Sequence, residues 1–321
     1  MKNKDRIVLD SKNYIENRLG VSLESLKKFP RFFLIETIFG CNASCIMCPA
    51  KQSKRKKEKM SIYLVQKILD EIGFYKEIVN KVQFYLHGEP CLDLDLPKWV
   101  AYSKKIGIKT THIATNGSLL NHDMSKRLLK AGLDQIYIAV DGETEETVAN
   151  IRKGLSLKKI KANINEFISL RKALNVNTKI RILMVVQDKN LSEVDSWKNY
   201  WQSRLNKTDE LCANNITNWG GQIDTGKFYQ EINVTKPCVY PFGTMAIMAD
   251  GTVPLCCEDV NPVYNLGNIN DSSILDIWTS EKWAYIIDTH LKGLRSKMKL
   301  CKTCDVFRDD KYIIKEQGQT S

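Results

Sequence analysis

Three cysteines, Cys41, Cys45 and Cys48, stand within eight residues, "CNASCIMC". Thiolates hold zinc ions and iron–sulfur clusters, and a closed site takes four of them. A structural site fills its coordination shell, whereas a site for chemistry keeps one position open. Three thiolates on a four-iron cluster would leave one iron free to bind a small molecule. A second set, Cys238, Cys256, Cys301 and Cys304, has the full four. Cys301 and Cys304 enclose two residues, a spacing that lets both thiolates turn toward one centre. This set reads as closed, and its spacing favours neither zinc nor iron. Cys257, beside Cys256, is not expected to face the same centre, because chain neighbours point apart. Cys91 and Cys212 have no partner at motif spacing and read as buried thiols. Either would open a route to epimerisation, as a hydrogen donor, only by facing the site.

These groups need a scaffold that brings distant segments together. Residues 32–37, 81–87, 108–114, 135–140, 178–186 and 210–217 read as strands from their short apolar, β-branched runs. Helical patterns fill the gaps, near 61–75, 96–106, 118–132, 144–152, 157–173 and 191–205. Strand and helix alternate about six times, which implies parallel strands with right-handed crossovers. The pattern suits an open, partial barrel or a doubly wound sheet, and both place chemistry at the C-terminal strand ends. The suspicious residues fall there: the cysteine loop after strand one, Gly88-Glu89-Pro90 after two, Thr115-Asn116-Gly117 after three, Asp141 after four and Gln187 after five. Beyond residue 218 the pattern gives way to turns, short strands and cysteines.

Composition narrows the class. The 321 residues are 43% hydrophobic and 26% charged, enough apolar content for a large core. No apolar run reaches the roughly 18 residues a membrane span needs, and the charged N-terminus lacks a secretory signal's apolar centre. A cytoplasmic protein with 10 cysteines points to metal or redox chemistry rather than disulfides. The net charge is +11, and part of the excess sits in "KQSKRKKEK" (51–59). That run reads either as a solvated loop or as steering for an anionic small-molecule substrate. No aromatics interleave with it, so a nucleic-acid groove is not expected.

The C-x3-C-x2-C loop after a first strand resembles the signature of the radical S-adenosylmethionine enzymes. In that family, three cysteines hold a [4Fe–4S] cluster whose free iron chelates S-adenosylmethionine, and reductive cleavage yields a 5′-deoxyadenosyl radical. The resemblance implies a partial (β/α)6 TIM-like barrel and an α/β fold. It implies that Gly88, Glu89 and Pro90 receive the methionine ammonium, and that Met47 sits where the backbone meets adenine. Thr115 and Asn116 look like the family's third-strand turn. "IAVDG" (138–142) with "IRKG" (151–154) looks like its fourth-strand region, bringing in Asp141 and Arg152. Gln187 joins them as the residue ending strand five. Two positions depart: His87 replaces a glycine often found there, and Ala139 stands where a serine would contact ribose.

"PC" at 237–238, "DGTVPLCCED", "NLGNI", Trp278 and "CKTC" resemble a shortened SPASM extension with one auxiliary [4Fe–4S] cluster on Cys238, Cys256, Cys301 and Cys304. Their order resembles the 2-deoxy-scyllo-inosamine dehydrogenase type. The chain then divides into an N-terminal segment (1–31), a barrel (32–218), a small cysteine-rich C-terminal extension (219–305) and a polar tail (306–321). The implied activity is oxidation of a sugar, aminocyclitol or nucleotide-sugar alcohol, with a flavodoxin- or ferredoxin-like electron donor. The rival readings are a peptide maturase or epimerase of the same family, and a zinc or iron–sulfur binding protein without activity. The short stretch before strand one leaves little room for a leader-peptide domain. His87 is a candidate at the site mouth, Arg152 either binds a carboxylate or solvates a helix end, and Trp278 and Trp283 read as packing residues.

Overall fold

Polar caps and alternating apolar residues divide the chain into strands and helices. The computed structural model describes residues 3–228, 232–306 and 312–316. Six strands, β1 (Phe32–Ile35), β2 (Lys81–Gln83), β3 (Thr110–Thr115), β4 (Gln135–Ala139), β5 (Lys179–Val186) and β6 (Glu210–Asn215), lie side by side in chain order. All pair in parallel. Helix α1 (Asn3–Leu19) precedes them. The crossovers are α2 (Ile62–Phe74), α3 (Leu96–Lys105), α4 (His122–Lys130), the pair α5 (Glu145–Ile151) and α6 (Leu157–Ala173), and α7 (Val194–Gln202). Ser61, Asn121, Thr144 and Ser156 each accept a backbone N–H at a helix start, a cap worth about 1 kcal/mol. This is the expected α/β partial barrel.

The strands are two-faced. On β5, Ile180, Ile182, Met184 and Val186 are fully buried, while Lys179, Arg181, Leu183 and Val185 are only partly so. The second face carries a polar layer. Lys81 Nζ donates to Gln135 Oε1 (2.8 Å), and Lys179 and Arg181 both pair with Glu210. His112 has no exposed surface, and its ring lies between those of Tyr85 and Tyr137. Its Nδ1 is 2.9 Å from Gln83 Oε1, so Nδ1 carries the proton. Burial holds the imidazole well below its usual 6.5, helped by Lys81 and Arg181. The unfolded chain therefore takes up this proton first as pH falls. Stability contributed above pH 6.5 is lost progressively below it. Denaturation midpoints should fall between pH 7 and 5, and His112→Gln should flatten that slope; an unchanged slope would show that His112 does not titrate on unfolding.

Three features add to the expected pattern. A seventh parallel strand, β7 (Thr244–Ile247), comes from the extension and pairs with β1 on its free edge. The sheet is thus completed from outside residues 32–218. The tail, expected to be only polar, contributes β10 (Tyr312–Glu316), antiparallel to β6; residues 307–311 and 317–321 lie outside the described ones. The N-terminal segment packs on the extension, since Ile15, Leu23, Leu26 and Phe242 form one apolar cluster. The extension continues as a hairpin, β8 (Thr252–Pro254) and β9 (Asn265–Asn268), then α8 (Ile274–Trp278) and α9 (Glu281–Leu291). Trp278 and Trp283 are buried with ring centroids 4.1 Å apart, and the Trp278 Nε1–H donates to Leu26 O, so both pack as expected. Among the described residues no helix is long and apolar enough to cross a membrane.

Candidate functional site

Loops at the C-terminal strand ends enclose a cavity of about 770 Å³. Cys41, Cys45, Cys48, Met47, Gly88, Glu89, Thr115, Asn116 and Arg152 all line it. Pro90, Asp141 and Gln187 do not. Pro90 begins a short 3-10 turn behind Glu89. Gln187 is buried, with its N–H donated to Asn190 Oδ1 (2.8 Å). Strand-end position alone pointed to it, but its backbone belongs to the turn that closes β5. Cys91 and Cys212 are buried and also stand outside the cavity lining.

The cysteine loop is pinned at both ends. Ile38–Phe39 pairs with Glu58–Lys59, and Ser44–Cys45 pairs antiparallel with Arg152–Lys153. Ile46 N–H donates to Ile151 O (2.9 Å). Arg152 is buried; its Nε donates to Asp141 Oδ2 (2.7 Å) and its Nη1 reaches Cys45 Sγ (3.8 Å). Asp141 Oδ1 in turn accepts the Val185 N–H (2.8 Å). Arg152 is thus neither a solvated helix end nor a free carboxylate clamp: Asp141 aims it at the cysteines. Burial pushes all three thiols up, Cys45 to about 11, with Arg152 pulling the other way. Thiols that resist ionisation alone, beside a fixed cation, suit ligation by a cationic centre that deprotonates them.

The second strand end is stapled to this loop. A Cβ on Gly88 would stand 2.2 Å from Ile38 O and 2.9 Å from Gly40 O, so only glycine fits. Glu89 N–H donates to Gly40 O (2.8 Å). Glu89 Oε1 accepts from the Thr115 hydroxyl (2.6 Å) and Cys91 N–H (3.1 Å), and Oε2 accepts Asn116 N–H (2.8 Å). Burial raises this carboxyl above its usual range while those donors oppose it. Oε2 carries a single bond and retains acceptor capacity. Asn116 Nδ2 donates to Asn42 Oδ1 (3.0 Å), tying the Thr115-Asn116-Gly117 turn to the cysteines. Three thiols on an open cavity, a carboxylate with spare capacity and close-packed glycine backbone fit a cluster with one open iron and a zwitterionic ligand.

The second cysteine set lies together in the extension. Burial pushes Cys238, Cys301 and Cys304 up to about 12, and neighbouring thiols add to it. Cys256 and Cys257 are both raised, and both feel Cys238 and Cys304. Cys257 thus lies near the group together with Cys256. Arg295, also missed, is buried and clamps the pieces: Nη2 donates to Cys304 O (2.7 Å), Nε to Cys301 O (3.3 Å) and Nη1 to Lys236 O (3.3 Å).

Residues 35–194 match the Radical SAM superfamily, and residues 238–305 match SPASM, an iron-sulfur cluster-binding domain. The chain belongs to the radical SAM superfamily. It is 25% identical to the S-adenosyl-L-methionine-dependent 2-deoxy-scyllo-inosamine dehydrogenase of Niallia circulans, over 84% of this chain and 91% of that one. It is 24% identical to the tungsten-containing aldehyde ferredoxin oxidoreductase cofactor-modifying protein of Pyrococcus furiosus, over 79% and 82% respectively. The fold matches crystalline BtrN in complex with AdoMet and 2-DOIA, with TM-score 0.61, 21% identity and 90% and 99% coverage. The radical SAM domain binds S-adenosylmethionine and a [4Fe–4S] cluster, and the SPASM domain binds auxiliary iron–sulfur.

A buried polar node joins the radical SAM cavity to the SPASM region. Glu36, at the end of β1, accepts from His87 N–H (3.2 Å), Ala249 N–H (2.9 Å) and both Arg55 nitrogens. Burial raises the Glu36 carboxyl, yet His87 and Arg55 hold it below its usual range. Arg55 packs over the Phe39 ring at 4.0 Å, so the basic run is not wholly solvated. His87 Nε2 lies 2.7 Å from the Cys257 carbonyl, which only accepts, so Nε2–H donates. His87 lines the cavity but is bound into this node. Its partners lie far along the chain, so the sequence carries no local signal for Glu36.

Proposed function

We propose that this radical SAM enzyme oxidises a hydroxyl- or amine-bearing carbon of a sugar, aminocyclitol or nucleotide-sugar. The observation that carries this reading is the link from His87 at the cavity to the Cys257 carbonyl of the second cysteine set. A closed cluster site adjoining a substrate cavity suits removal of an electron from a substrate radical. Bound together, the cluster and S-adenosylmethionine supply a 5′-deoxyadenosyl radical able to take hydrogen from an unactivated C–H bond.

The chain's own residues hold and orient. We assign Cys41, Cys45 and Cys48 to the radical cluster, and Cys238, Cys256, Cys301 and Cys304 to the auxiliary one. Gly88 lets the second strand end pack against the backbone of Ile38 and Gly40, Glu89 receives the cofactor's ammonium, and Met47, Thr115 and Asn116 complete the cradle. Arg152 faces the radical cluster, and Asp141 positions Arg152. Pro90 shapes the turn behind Glu89, and Gln187 receives no role. Residues 32–218 form the barrel unit and 219–305 the auxiliary unit, with β7 shared between them. Neither Cys91 nor Cys212 lines the cavity, which supports oxidation over thiol-assisted epimerisation. The name of the Niallia relative supports an aminocyclitol or sugar substrate. A flavodoxin- or ferredoxin-like protein in the cytoplasm would supply the reducing electron.

The test is isotopic. Aminocyclitols and sugars deuterated at ring carbons are incubated anaerobically with reconstituted, reduced enzyme. A substrate should pass deuterium into 5′-deoxyadenosine and yield a product short of two hydrogens. A product of unchanged mass would overturn oxidation. Iron should be about eight per chain, falling to about four in Cys301→Ala; no loss would remove the auxiliary assignment.

A further inference from the structure

One wall of the cavity, at the end of β6 and just beyond it, is formed by Asn214, Asn215, Thr217 and Trp219. Trp219, Gly220 and Gly221 have φ of 50°, 66° and 85°, three left-handed residues in a row. For tryptophan that conformation is strained and persists only where surroundings over-determine it. Here they do. Asn218 O accepts the N–H groups of Gly221, Gln222 and Ile223. Asn218 Nδ2 donates to Thr303 O (2.6 Å), and its N–H to Asp305 Oδ1 (2.8 Å). Gln222 Nε2 donates to Trp219 O (2.6 Å) and Glu258 O (2.7 Å). A Cβ on Gly220 would meet Leu300 Cδ1 at 2.6 Å, and one on Gly221 would meet Thr303 Oγ1 at 2.6 Å. Both auxiliary cysteine loops thus lock Trp219 against the cavity, with its ring centroid 6.4 Å from that of His87.

The same cavity is lined by Lys51, Lys57 and Lys153, all exposed. None has an ion-pair partner among the described residues, unlike Arg55 and Arg152, which are paired. Among the described residues Glu89 is the sole carboxylate in the lining, and its oxygens already accept three donors. The cavity therefore offers an anchored aromatic face, amide and hydroxyl groups beside it, and three uncommitted cations.

We propose that this cavity takes a phosphorylated ring polyol, with the C–H face of the ring on Trp219 and the phosphate held by Lys51, Lys57 and Lys153. An aromatic face accepts the apolar side of a polyol ring, neighbouring amides satisfy its hydroxyls, and ammonium groups hold phosphate as point charges. The inference rests on the reading above of this cavity as the substrate site. It adds the anionic group and names the residues that recognise it.

The test is calorimetric binding to anaerobically reconstituted holoenzyme with S-adenosylmethionine present. The probes are glucose 6-phosphate, myo-inositol 1-phosphate and UDP-glucose, against glucose and myo-inositol. At least one phosphate ester should bind about tenfold or more tighter than its uncharged parent. That advantage should shrink several-fold between 50 and 300 mM salt, at about the ionic strengths where screening becomes strong. Lys51→Ala, Lys57→Ala and Lys153→Ala combined should abolish the advantage while leaving the parent's affinity unchanged. Trp219→Ala should weaken ester and parent alike about tenfold, and Trp219→Phe should restore most of it. Equal binding of ester and parent, no binding of any ester, or an unaffected triple variant overturns the proposal. 5′-Deoxyadenosine formation without substrate is scored on the same wild-type batch. Cleavage with charge-blind binding defeats this inference alone, whereas absence of cleavage defeats the proposed function.

Discussion

Gly88→Ala destroys the cofactor site: S-adenosylmethionine cleavage falls by about a thousandfold or more, and the radical cluster is lost while the auxiliary one remains. The new methyl group would sit 2.2 Å from Ile38 O, 2.9 Å from Gly40 O and 3.1 Å from Gly40 N. Each is backbone, so no side chain can rotate away. Ile38 is held in its ladder with Lys59, and Gly40 O accepts from Glu89 N–H. Relief therefore displaces the segment that begins the cysteine loop. Overpacking typically costs about 1–3 kcal/mol, and this contact belongs at or above the top of that range. Iron analysis, denaturant unfolding and nucleoside assay read the three effects together. Gly40→Ala is the stability control: its Cβ meets nothing within 4 Å, so unfolding should shift by no more than about 0.5 kcal/mol. Gly88→Ala with wild-type iron and turnover would show that this close approach is not required.

Asp141→Ala has the second large effect, although Asp141 does not line the cavity. It leaves the Arg152 guanidinium buried without its carboxylate, and the Val185 N–H without its acceptor. Stranding one partner of a buried ion pair costs about 3–5 kcal/mol. The damage is directed, because Arg152 also anchors the ladder with Ser44–Cys45 and reaches Cys45 Sγ. Unfolding should shift by that amount, and about half of the iron should be lost. Asp141→Asn keeps the shape and some hydrogen bonding, so its loss should be smaller. A shift below about 1 kcal/mol in Asp141→Ala would mean that Arg152 finds other compensation.

The residues that announce themselves in sequence are those whose neighbours in the site are also neighbours in the chain. Cys41, Cys45 and Cys48 share one loop, and Glu89 follows Gly88 at a strand end, so type and spacing suffice. The six-strand order was legible for the same local reason, apolar runs alternating with capped helices. Strand-end position did not by itself place Gln187 in the cavity lining, because a residue after a strand can be taken up by the turn that closes it. Glu36 stayed invisible because its partners, Arg55, His87 and Ala249, are 19, 51 and 213 residues away. Arg55 was hidden inside a basic run that otherwise reads as solvated. β7 was missed because parallel pairing with β1 is non-local and "TMAI" lies among turns and cysteines. Trp219 carries no local signal of its left-handed backbone. The clamps that impose it come from Thr303, Asp305 and Glu258, far along the chain.

The most direct test of the central claim uses protein reconstituted with iron and sulfide under anaerobic conditions, reduced, and incubated with S-adenosylmethionine alone. The open three-cysteine site predicts 5′-deoxyadenosine and methionine in equal amounts, with none from Cys45→Ala. Reduced wild-type protein that carries its full iron but forms no 5′-deoxyadenosine would contradict the account.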